Sequence, residues 1–375
     1  MRAARDEPPR AGSTAVKRAA PATEPQEPEC RADVLAAIIA GMKWRNLIML
    51  GWLAGAALAR AASAVAQESS ADAPRQAMSD AWWTGPLLAA SASTLPKGHV
   101  LVEPYLFDIT SRGHFDADGN RHASSQEHTV GSLTYMLYGI TDRITAGMIP
   151  MFAFRHGTGP SSSGIGIGDL QLQAQYRLTL FQEGRRVPTL SFVVGETLPT
   201  GKYDRLGERP NDGIGGGAHT TTLSRYSQYY FWMPNGRILR TRLDLSRAFS
   251  DSAQLEDVSV YGTEQGFRGR AEPGNSFVAD LAFEYSMTRN WVLALDVVHS
   301  RSASTRVAGM YPASGNMLAV SIDAESGSSR TIYVAPAVEY NFTGNVGVIV
   351  GARFTPWGGN STSSFTPVAA INLVY

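Results

Sequence analysis

Hydrophobic and polar residues alternate with period two over many segments of this 375-residue chain. The clearest segment is 169–180, where every odd position is polar and the even positions are almost all apolar. Successive side chains of a strand point to opposite faces, so this pattern predicts one polar and one apolar face. A soluble sheet shows the same alternation, but the length of the segment favours a strand that crosses a membrane, which needs about 9–11 residues.

Similar segments follow one another and predict an all-β protein, an antiparallel transmembrane β-barrel of about twelve strands over residues 98–375. The segment 217–231 alternates most weakly, so counts of ten and fourteen also stay open. The strands are expected near 98–110, 127–139, 143–154, 167–181, 187–199, 217–231, 237–248, 275–287, 290–301, 328–341, 344–355 and 365–375.

The connections between these strands are long and short in turn. The long ones are 111–126, 155–166, 200–216, 249–274, 302–327 and 356–364. The short ones are 139–142, 182–186, 232–236, 288–290 and 343–345. Asn and Gly in the last short turn accept the positive φ that hairpin turns require. A barrel with both termini in the periplasm has short periplasmic turns and longer outer loops, whereas a soluble sandwich has no reason to sort its loops this way.

The segment 365–375 predicts how the barrel closes. It places apolar side chains from Phe365 to Tyr375 on one face and ends on the aromatic residue. An apolar strand at an open sheet edge is prone to pair with other chains, so we expect it to pair with the first strand while its apolar face meets lipid. We expect a monomer surrounded by outer-membrane lipid and lipopolysaccharide, inserted by the barrel-assembly machinery through the strand that ends at Tyr375.

Aromatic residues near the expected strand ends favour belts at the lipid–water boundary. They are Tyr229, Tyr230, Phe231 and Trp232 beside one short turn, Trp291 after another, and Trp357 on the long-loop side.

Residues 42–66 have the organisation of a secretory signal peptide. Lys43 and Arg45 precede the apolar run 47–58, and Ala64-Val-Ala66 is an A-x-A cleavage motif. Since a signal peptide belongs at the start of a chain, we expect translation to begin at Met42. Residues 1–41, rich in Ala, Pro, Arg and Glu, are then a spurious or disordered extension.

Residues 67–97 lie between the signal peptide and the barrel and contain no strand pattern. The adjacent Trp82 and Trp83 are costly to leave in water. We therefore expect an N-terminal periplasmic arm that packs on the rim or plugs the lumen.

Charge and cysteine content narrow the classes of function. The formal net charge is zero, which argues against nucleic acid as a partner. The single cysteine, Cys30, precedes the expected cleavage site, so disulfides and thiolate metal sites are excluded from the mature protein. The acidic segment 116–120 lacks the full calcium-loop pattern. The sequence predicts no metal and no cofactor.

Charged and polar residues in phase with the polar face are candidate lumen-lining residues. They are Asp169, Gln171, Gln173, Gln175, Arg177, Arg240, Arg242, Asp244, Asp280, Glu284, Asp296, Glu339 and Arg353. Both signs of charge are present, so no simple cation or anion ring is predicted. Two interpretations stay open, because barrel interiors also hold ion pairs that only stabilise the wall.

A lipid hydrolase embedded in the membrane also fits a twelve-stranded barrel. It requires a nucleophile, a base and an orienting polar residue within reach of one another. His299 and Ser300 are adjacent in a strand and therefore point to opposite faces, and Glu256 and Asp257 offer no evident partner. We predict that the protein is not an enzyme.

Three short motifs resemble a known family. They are Gly164-Ile-Gly-Ile-Gly-Asp-Leu170, Leu198-Pro-Thr-Gly201 and Glu284-Tyr-Ser-Met-Thr288. Together they are similar to the outer-membrane barrel family named for the meta-pathway of phenol degradation, over roughly residues 95–375. The resemblance implies a transporter that passes hydrophobic or aromatic compounds, and no catalytic residue is carried over.

The leading hypothesis is an outer-membrane channel for passive passage of small molecules. Twelve strands lie between the eight that side chains fill and the sixteen to eighteen that leave an aqueous channel, so any path is expected to be narrow. The alternative is a closed structural or adhesion barrel that acts through its extracellular loops, and the third hypothesis is the lipid hydrolase.

Overall fold

The computed structural model describes residues 74–313 and 318–375. The expected signal peptide (42–66) and extension (1–41) lie outside the described residues. Within those two described ranges, no helix is long and apolar enough to cross a membrane. The described strands are β1 (Val100–Phe115), β2 (Arg121–Thr141), β3 (Ile144–Ile149), β4 (Met151–His156), β5 (Gly166–Ile167), β6 (Leu170–Thr179), β7 (Thr189–Leu198), β8 (Thr220–Trp232), β9 (Ile238–Ser250), β10 (Ala253–Glu256), β11 (Arg268–Glu272), β12 (Ser276–Ser286), β13 (Trp291–Ser302), β14 (Arg306–Tyr311), β15 (Val320–Glu325), β16 (Ser329–Asn341), β17 (Val346–Gly359) and β18 (Ser361–Val374).

Fourteen of these strands form one antiparallel sheet that closes into a barrel. β3 and β4 are two halves of one wall strand, since both pair with β2 and only Pro150, which has no N–H to donate, separates them. β5 and β6 continue each other across Gly168 and Asp169 in the same way. The wall therefore has twelve strands, which confirms the predicted number.

The first and last wall strands close the barrel, as the sequence predicts. β1 pairs with β2 on one side and with β18 on the other. The backbone N–H of Val100 donates to the carbonyl of Tyr375 at 3.0 Å, and the N–H of Tyr375 donates back at 2.9 Å. The strand that ends the chain therefore has no open edge along the barrel.

The two faces of the wall differ sharply in polarity. On β6, Leu172 and Tyr176 are 40% and 45% exposed on the outer face, whereas Gln175 is 5% exposed on the inner face. Exposed apolar residues outside and buried polar residues inside are the reverse of a soluble sheet's arrangement. Lipid satisfies such an outer surface, so this architecture is a transmembrane β-barrel.

Alternation splits the aromatic run of β8 between the two faces, which corrects the expectation that all four of its residues form a belt. Tyr229 and Phe231 point outward and their ring centroids are 4.9 Å apart. Tyr230 and Trp232 point into the barrel, where the indole N–H of Trp232 donates to the carbonyl of Gln76 at 2.8 Å. Outward rings at this end of the barrel also include Trp291, Tyr340 and Phe342.

Two of the predicted long loops are instead strand extensions. β1 and β2 continue to a turn at 116–120, and β17 and β18 are separated only by Asn360. These extensions carry polar residues on both faces, because both faces reach water beyond the lipid. The period-two signal disappears there, so the pattern alone ends the strands too early at 110 and 355.

The predicted loops 249–274 and 302–327 contain a second sheet, of strands β10, β11, β14 and β15. A small apolar cluster covers one of its faces, with Leu255 and Phe267 each 1% exposed and Tyr203, Tyr261 and Ile322 packed around them. This outer sheet is a folded element at the long-loop end of the barrel.

Candidate functional site

A segment upstream of β1 crosses the interior of the barrel at its short-turn end. We call residues 76–96 the arm. At its start, the backbone N–H of Gln76 donates to the carbonyl of Gly236 in the turn between β8 and β9, at 2.9 Å. At its end, the N–H of Leu95 donates to Oγ1 of Thr145 on β3, at 2.8 Å. These anchors lie at different short turns, so the arm spans the lumen between them.

The two adjacent tryptophans of the arm contact arginines. The guanidinium carbon of Arg289 lies 4.4 Å from the ring centroid of Trp82, and that of Arg240 lies 4.4 Å from the ring centroid of Trp83. The Trp83 ring also packs edge-on against Tyr230 at 6.3 Å. Cations over indole faces stabilise both groups, so these contacts partly shield the two tryptophans from water.

Glu339, fully buried on β16, holds the next part of the arm. Its Oε2 accepts the backbone N–H of Thr84 at 2.7 Å and that of Gly85 at 3.2 Å. An ionised or neutral carboxyl oxygen accepts such bonds, and a buried N–H that lacks one is destabilising. The glutamate and the backbone therefore satisfy each other inside the barrel.

Asp296 on β13 likewise accepts backbone N–H groups, those of the next residues of the arm. Its two carboxyl oxygens accept the backbone N–H groups of Leu87 at 3.1 Å and Ala89 at 3.0 Å. The carbonyl of Ala89 in turn accepts a hydrogen bond from Nη1 of Arg242 at 2.9 Å. The wall thus binds both the donors and the acceptors of the arm's backbone.

Arg240, Arg242 and Glu284 form the ionic centre of this inner face. Arg240 donates to both oxygens of Glu284, and Nε of Arg242 lies 3.1 Å from Oε2 of the same carboxylate. All three side chains are buried. Charge-assisted, bidentate pairs of this kind fix side-chain geometry as well as contributing energy, so the centre positions the guanidiniums that contact Trp83 and Ala89.

Neutral side chains bind the last part of the arm. Nε2 of Gln175 donates to the carbonyl of Ser91 at 3.0 Å, and Oγ of Ser191 donates to the carbonyl of Ala92 at 2.6 Å. A cavity of about 230 Å³ remains between this part of the arm and the wall. The arm therefore occupies the lumen at this level without filling it.

The structure brings many of the predicted lumen-lining residues together around the arm. These are Gln173, Gln175, Arg240, Arg242, Asp244, Asp280, Glu284, Asp296 and Glu339. Gln171 and Arg177 are in phase with Gln175 on the inner face of β6. Their role as the lining of a solute path stays a prediction, because their visible contacts are with the arm and with one another.

Two predicted residues lie elsewhere. Asp169, at the break between β5 and β6, accepts the backbone N–H groups of Gly201 at 2.9 Å and Gly216 at 2.7 Å, and so holds a long loop. Arg353 lines a separate cavity of about 530 Å³ in the long-loop half of the barrel, together with Arg155.

Sequence reasoning missed several residues of the inner face. Ser191 and Thr145 are too small and too common on both faces of strands to be singled out. Glu103 and Arg155 carried a usable signal, because each is a charged residue in phase with the inner face of its strand. These two residues lie on β1 and β4, where polar and apolar residues alternate less regularly than on β6. The sequence of these strands therefore does not show clearly which positions face the lumen.

A closed wall of twelve antiparallel strands with an apolar outer face and a polar interior defines an outer-membrane β-barrel. The family model for the MetA-pathway of phenol degradation matches residues 108–365. The chain belongs to this family, which confirms the resemblance carried by the three short motifs. A comparison with curated protein sequences gives no match.

Several solved structures are similar to this chain. An outer membrane channel from Pseudomonas putida F1 has a TM-score of 0.58 and 18% identity, covering 76% of this chain and 98% of that one. The Pseudomonas putida toluene transporter TodX has a TM-score of 0.37 and 13% identity, covering 79% and 95%. The β domain of the Bordetella autotransporter BrkA has a TM-score of 0.39 and 11% identity, covering 73% and 98%. At these identities the first structure shows a shared barrel fold, and the other two carry no further argument.

Proposed function

We propose that the protein is an outer-membrane channel for passive passage of small hydrophobic or aromatic molecules. The observation that carries the proposal is an interior with two cavities, of about 230 and 530 Å³, inside a wall whose outer face is apolar. Wall side chains fill the interior of an eight-stranded barrel, whereas these twelve strands enclose a wider space. Here a separate segment occupies the short-turn end instead.

The arm acts as a plug in this proposal. Its contacts with the wall are mainly hydrogen bonds to its backbone, made by side chains such as Glu339, Asp296 and Gln175. Residues 89–93 are Ala and Ser, so no bulky side chain interlocks with the wall there. Displacement of this stretch joins the cavity around the arm to the periplasmic opening, and solute then diffuses down its gradient.

Family membership supports the solute class in general terms. The family is named for a pathway that degrades phenol, and a channel for aromatic compounds suits that context. Phenol itself is not assigned to this chain. The barrel is proposed to be monomeric in a membrane of lipid and lipopolysaccharide, inserted by the barrel-assembly machinery through the strand ending at Tyr375.

The arm and the outer sheet favour a second candidate, a closed structural or adhesion barrel. The arm crosses the lumen, and strands β10, β11, β14 and β15 form a folded surface at the long-loop end. In such a protein the arm is a permanent part of the wall's support, and the outer sheet contacts the partner.

Lipid hydrolysis has little support from the geometry. Ser300 lines the long-loop cavity while His299, the next residue, faces outward. A second cluster places Oγ1 of Thr110 at 3.3 Å and Oδ2 of Asp108 at 3.1 Å from the same atom, Nδ1 of His128. A nucleophile and an orienting acid need different nitrogens of the imidazole. We therefore propose that the protein is not an enzyme.

Solute release from liposomes tests the proposal. Proteoliposomes carrying the mature protein, or a variant that lacks residues 67–95, are loaded with a small neutral aromatic solute. We expect release above protein-free liposomes, and faster release from the deletion variant. Val194→Ala, on the lipid face, is the matched control and should behave like the parent protein. Absence of release from both proteins would favour the closed barrel, and release of fatty acids would favour the hydrolase.

A further inference from the structure

The long-loop half of the barrel contains a polar cavity that the arm does not reach. We call it the outer cavity; it has a volume of about 530 Å³ and is lined by residues of β1, β2, β4, β13, β16, β17 and β18. This volume is within the range of about 300–1,000 Å³ that small-molecule sites occupy. Its lining includes Arg155, Arg353 and Tyr333.

Arg155 is held in place but has hydrogen-bonding capacity to spare. Its Nη1 donates to the carbonyl of Gly213 at 2.7 Å, which fixes the guanidinium against a long loop. Its Nε is buried and has no hydrogen-bond acceptor among the described residues. A buried charged group is normally paired, so this donor is available to an acceptor that enters the cavity.

Arg353, on the other side of the β1–β18 pairing that closes the barrel, also has a guanidinium that is held in place and, in the described part of the chain, a donor without an acceptor. Its guanidinium carbon lies 4.9 Å from the ring centroid of Tyr333, which orients the side chain by a cation–π contact. Its Nε is also buried without an acceptor among the described residues. Within residues 74–313 and 318–375, neither Arg353 nor Arg155 forms an ion pair.

The remaining lining is rich in hydroxyl groups. On the inner face of the wall they include Ser111, Ser300, Ser302, Ser329, Thr331 and Ser364. Hydroxyls donate hydrogen bonds to an anion and rotate to suit it. The one carboxylate in the lining is Glu127, an exposed residue on the rim side of β2. The cavity therefore offers many donors and little negative charge.

The guanidiniums of the lumen around the arm differ from those of the outer cavity in having a partner. Arg240 and Arg242 both form ion pairs with the carboxylate of Glu284. The Nε donors of Arg155 and Arg353 have no acceptor among the described residues. An anion in the outer cavity therefore meets cationic donors that no carboxylate of the described protein has engaged.

We propose that the outer cavity is a binding site for a small organic carboxylate. A guanidinium presents several donors in a fixed fork that matches the two oxygens of a carboxylate, and charge-assisted bonds of this kind are the strong ones. The serine and threonine hydroxyls provide further hydrogen-bond donors around the carboxylate, and the aromatic ring of Tyr333 suits a planar anion. Binding here does not depend on passage past the arm, so the inference goes beyond the proposed channel function.

Calorimetry with the purified, full-length mature protein in detergent tests the site without any transport step. Benzoate is compared with benzyl alcohol, a neutral compound of similar size, and with benzylamine, a cation. We expect saturable binding of benzoate and none of the other two. Arg155→Gln and Arg353→Gln should each weaken benzoate binding by about tenfold or more.

Arg301→Gln is the matched control. Arg301 lies between Ser300 and Ser302 on β13 but points to the opposite face, so its substitution should leave binding within about twofold. A heat-dependent shift in electrophoretic mobility checks that each variant is folded. Equal binding of benzoate and benzyl alcohol by the parent protein would overturn the site even if the variants failed to fold. Equal weakening by Arg301→Gln would overturn it as well.

Discussion

The backbone N–H of Thr84 donates a 2.7 Å hydrogen bond to Oε2 of Glu339, 255 positions further along the chain. This contact joins the segment that precedes the first wall strand to the inner face of one of the last. It shows that a buried carboxyl group on the polar face of the barrel has a structural partner. Part of the inner polarity therefore serves to bind the arm, whereas the described lining of the outer cavity includes no arm residue.

Removal of a wall carboxylate is predicted to loosen the arm. Asp296→Ala leaves the backbone N–H groups of Leu87 and Ala89 without their acceptors, at a cost of about 1–3 kcal/mol per unsatisfied group. A cysteine introduced by Ala90→Cys reports the change, since Cys30 is the only native cysteine. Its rate of labelling by a maleimide should rise about fivefold or more, because 1 kcal/mol is a factor of about 5.

Asp323→Ala, in the outer sheet far along the chain from the arm's contacts, serves as the control for that labelling experiment. Its pair with Arg306 is exposed, so the rate at position 90 should not change. Equal labelling in the parent and in Asp296→Ala would mean that the carboxylate does not hold the arm.

Breaking the buried pair of Arg240 and Glu284 is predicted to destabilise the barrel strongly. Glu284→Gln leaves a buried guanidinium with a weaker partner, and loss of one member of such a pair costs about 3–5 kcal/mol. Replacing both residues with apolar ones should cost less than the sum of the single changes. Urea unfolding of the protein in lipid vesicles measures these differences.

The exposed pair of Arg205 and Glu256 gives the comparison for the buried pair. Its side chains are 65% and 48% exposed, so Arg205→Gln should change the free energy of unfolding by about 0–1 kcal/mol. Similar losses in the free energy of unfolding for Glu284→Gln and Arg205→Gln would contradict the burial of the pair formed by Arg240 and Glu284.

The assignment of faces predicts opposite outcomes for two neighbouring positions. Val194 points to lipid and is 52% exposed, whereas Gln173 points to the cavity beside the arm. An arginine on the lipid face costs up to about 2–4 kcal/mol near the midplane. Val194→Arg should therefore reduce folding yield into vesicles and stability in urea, while Gln173→Arg should be tolerated. If Gln173→Arg were instead the more destabilising substitution, the assignment of the lipid-facing and lumen-facing sides would be wrong.

Acid is predicted to open the loop that Asp212 fixes. The backbone N–H of Ser163, which donates to Asp212 at 2.6 Å, holds the pKa of that carboxyl below its ordinary value, and Lys202 adds to the effect. Because the folded pKa is depressed, this stabilisation is present above the ordinary Asp pKa of about 4 and is lost as pH falls through the depressed value.

Hydrogen exchange at the Ser163 amide measures that loss. After correction for the intrinsic rate, protection should be constant from neutral pH down to about 4 and should fall below it. Asp212→Asn should show lower protection that no longer changes with pH in this range. An unchanged pH profile in Asp212→Asn would assign the effect to another group.

The sequence predicts the barrel well because lipid imposes a simple rule on its wall. Over 169–180 the rule gives the correct face for Leu172 and Gln175, and the terminal segment gives the correct closing pair. It fails where water reaches both faces, as in the extensions of β1 and β2, and in the short strands of the outer sheet.

The arm's contacts depend on features that no local pattern records. Ser191 binds the carbonyl of Ala92 across 99 positions of sequence, and neither residue is distinctive by type. Tyr230 and Phe231 are both aromatic, and only the register of β8 sends one into the lumen and the other into lipid. Arg155 and Arg353 line the same cavity although their strands, β4 and β17, are far apart in the chain. Closure of the barrel brings these two strands to the same cavity.

Single-channel recording in a planar bilayer tests most directly whether the arm closes a channel. The mature protein and the variant lacking residues 67–95 are compared at equal protein and salt concentrations, with the heat-dependent mobility shift confirming that both are folded. A plugged channel gives rare or small openings for the mature protein and a steady, larger conductance for the variant. Two folded proteins with the same conductance, or with none, would contradict the proposed role of the arm.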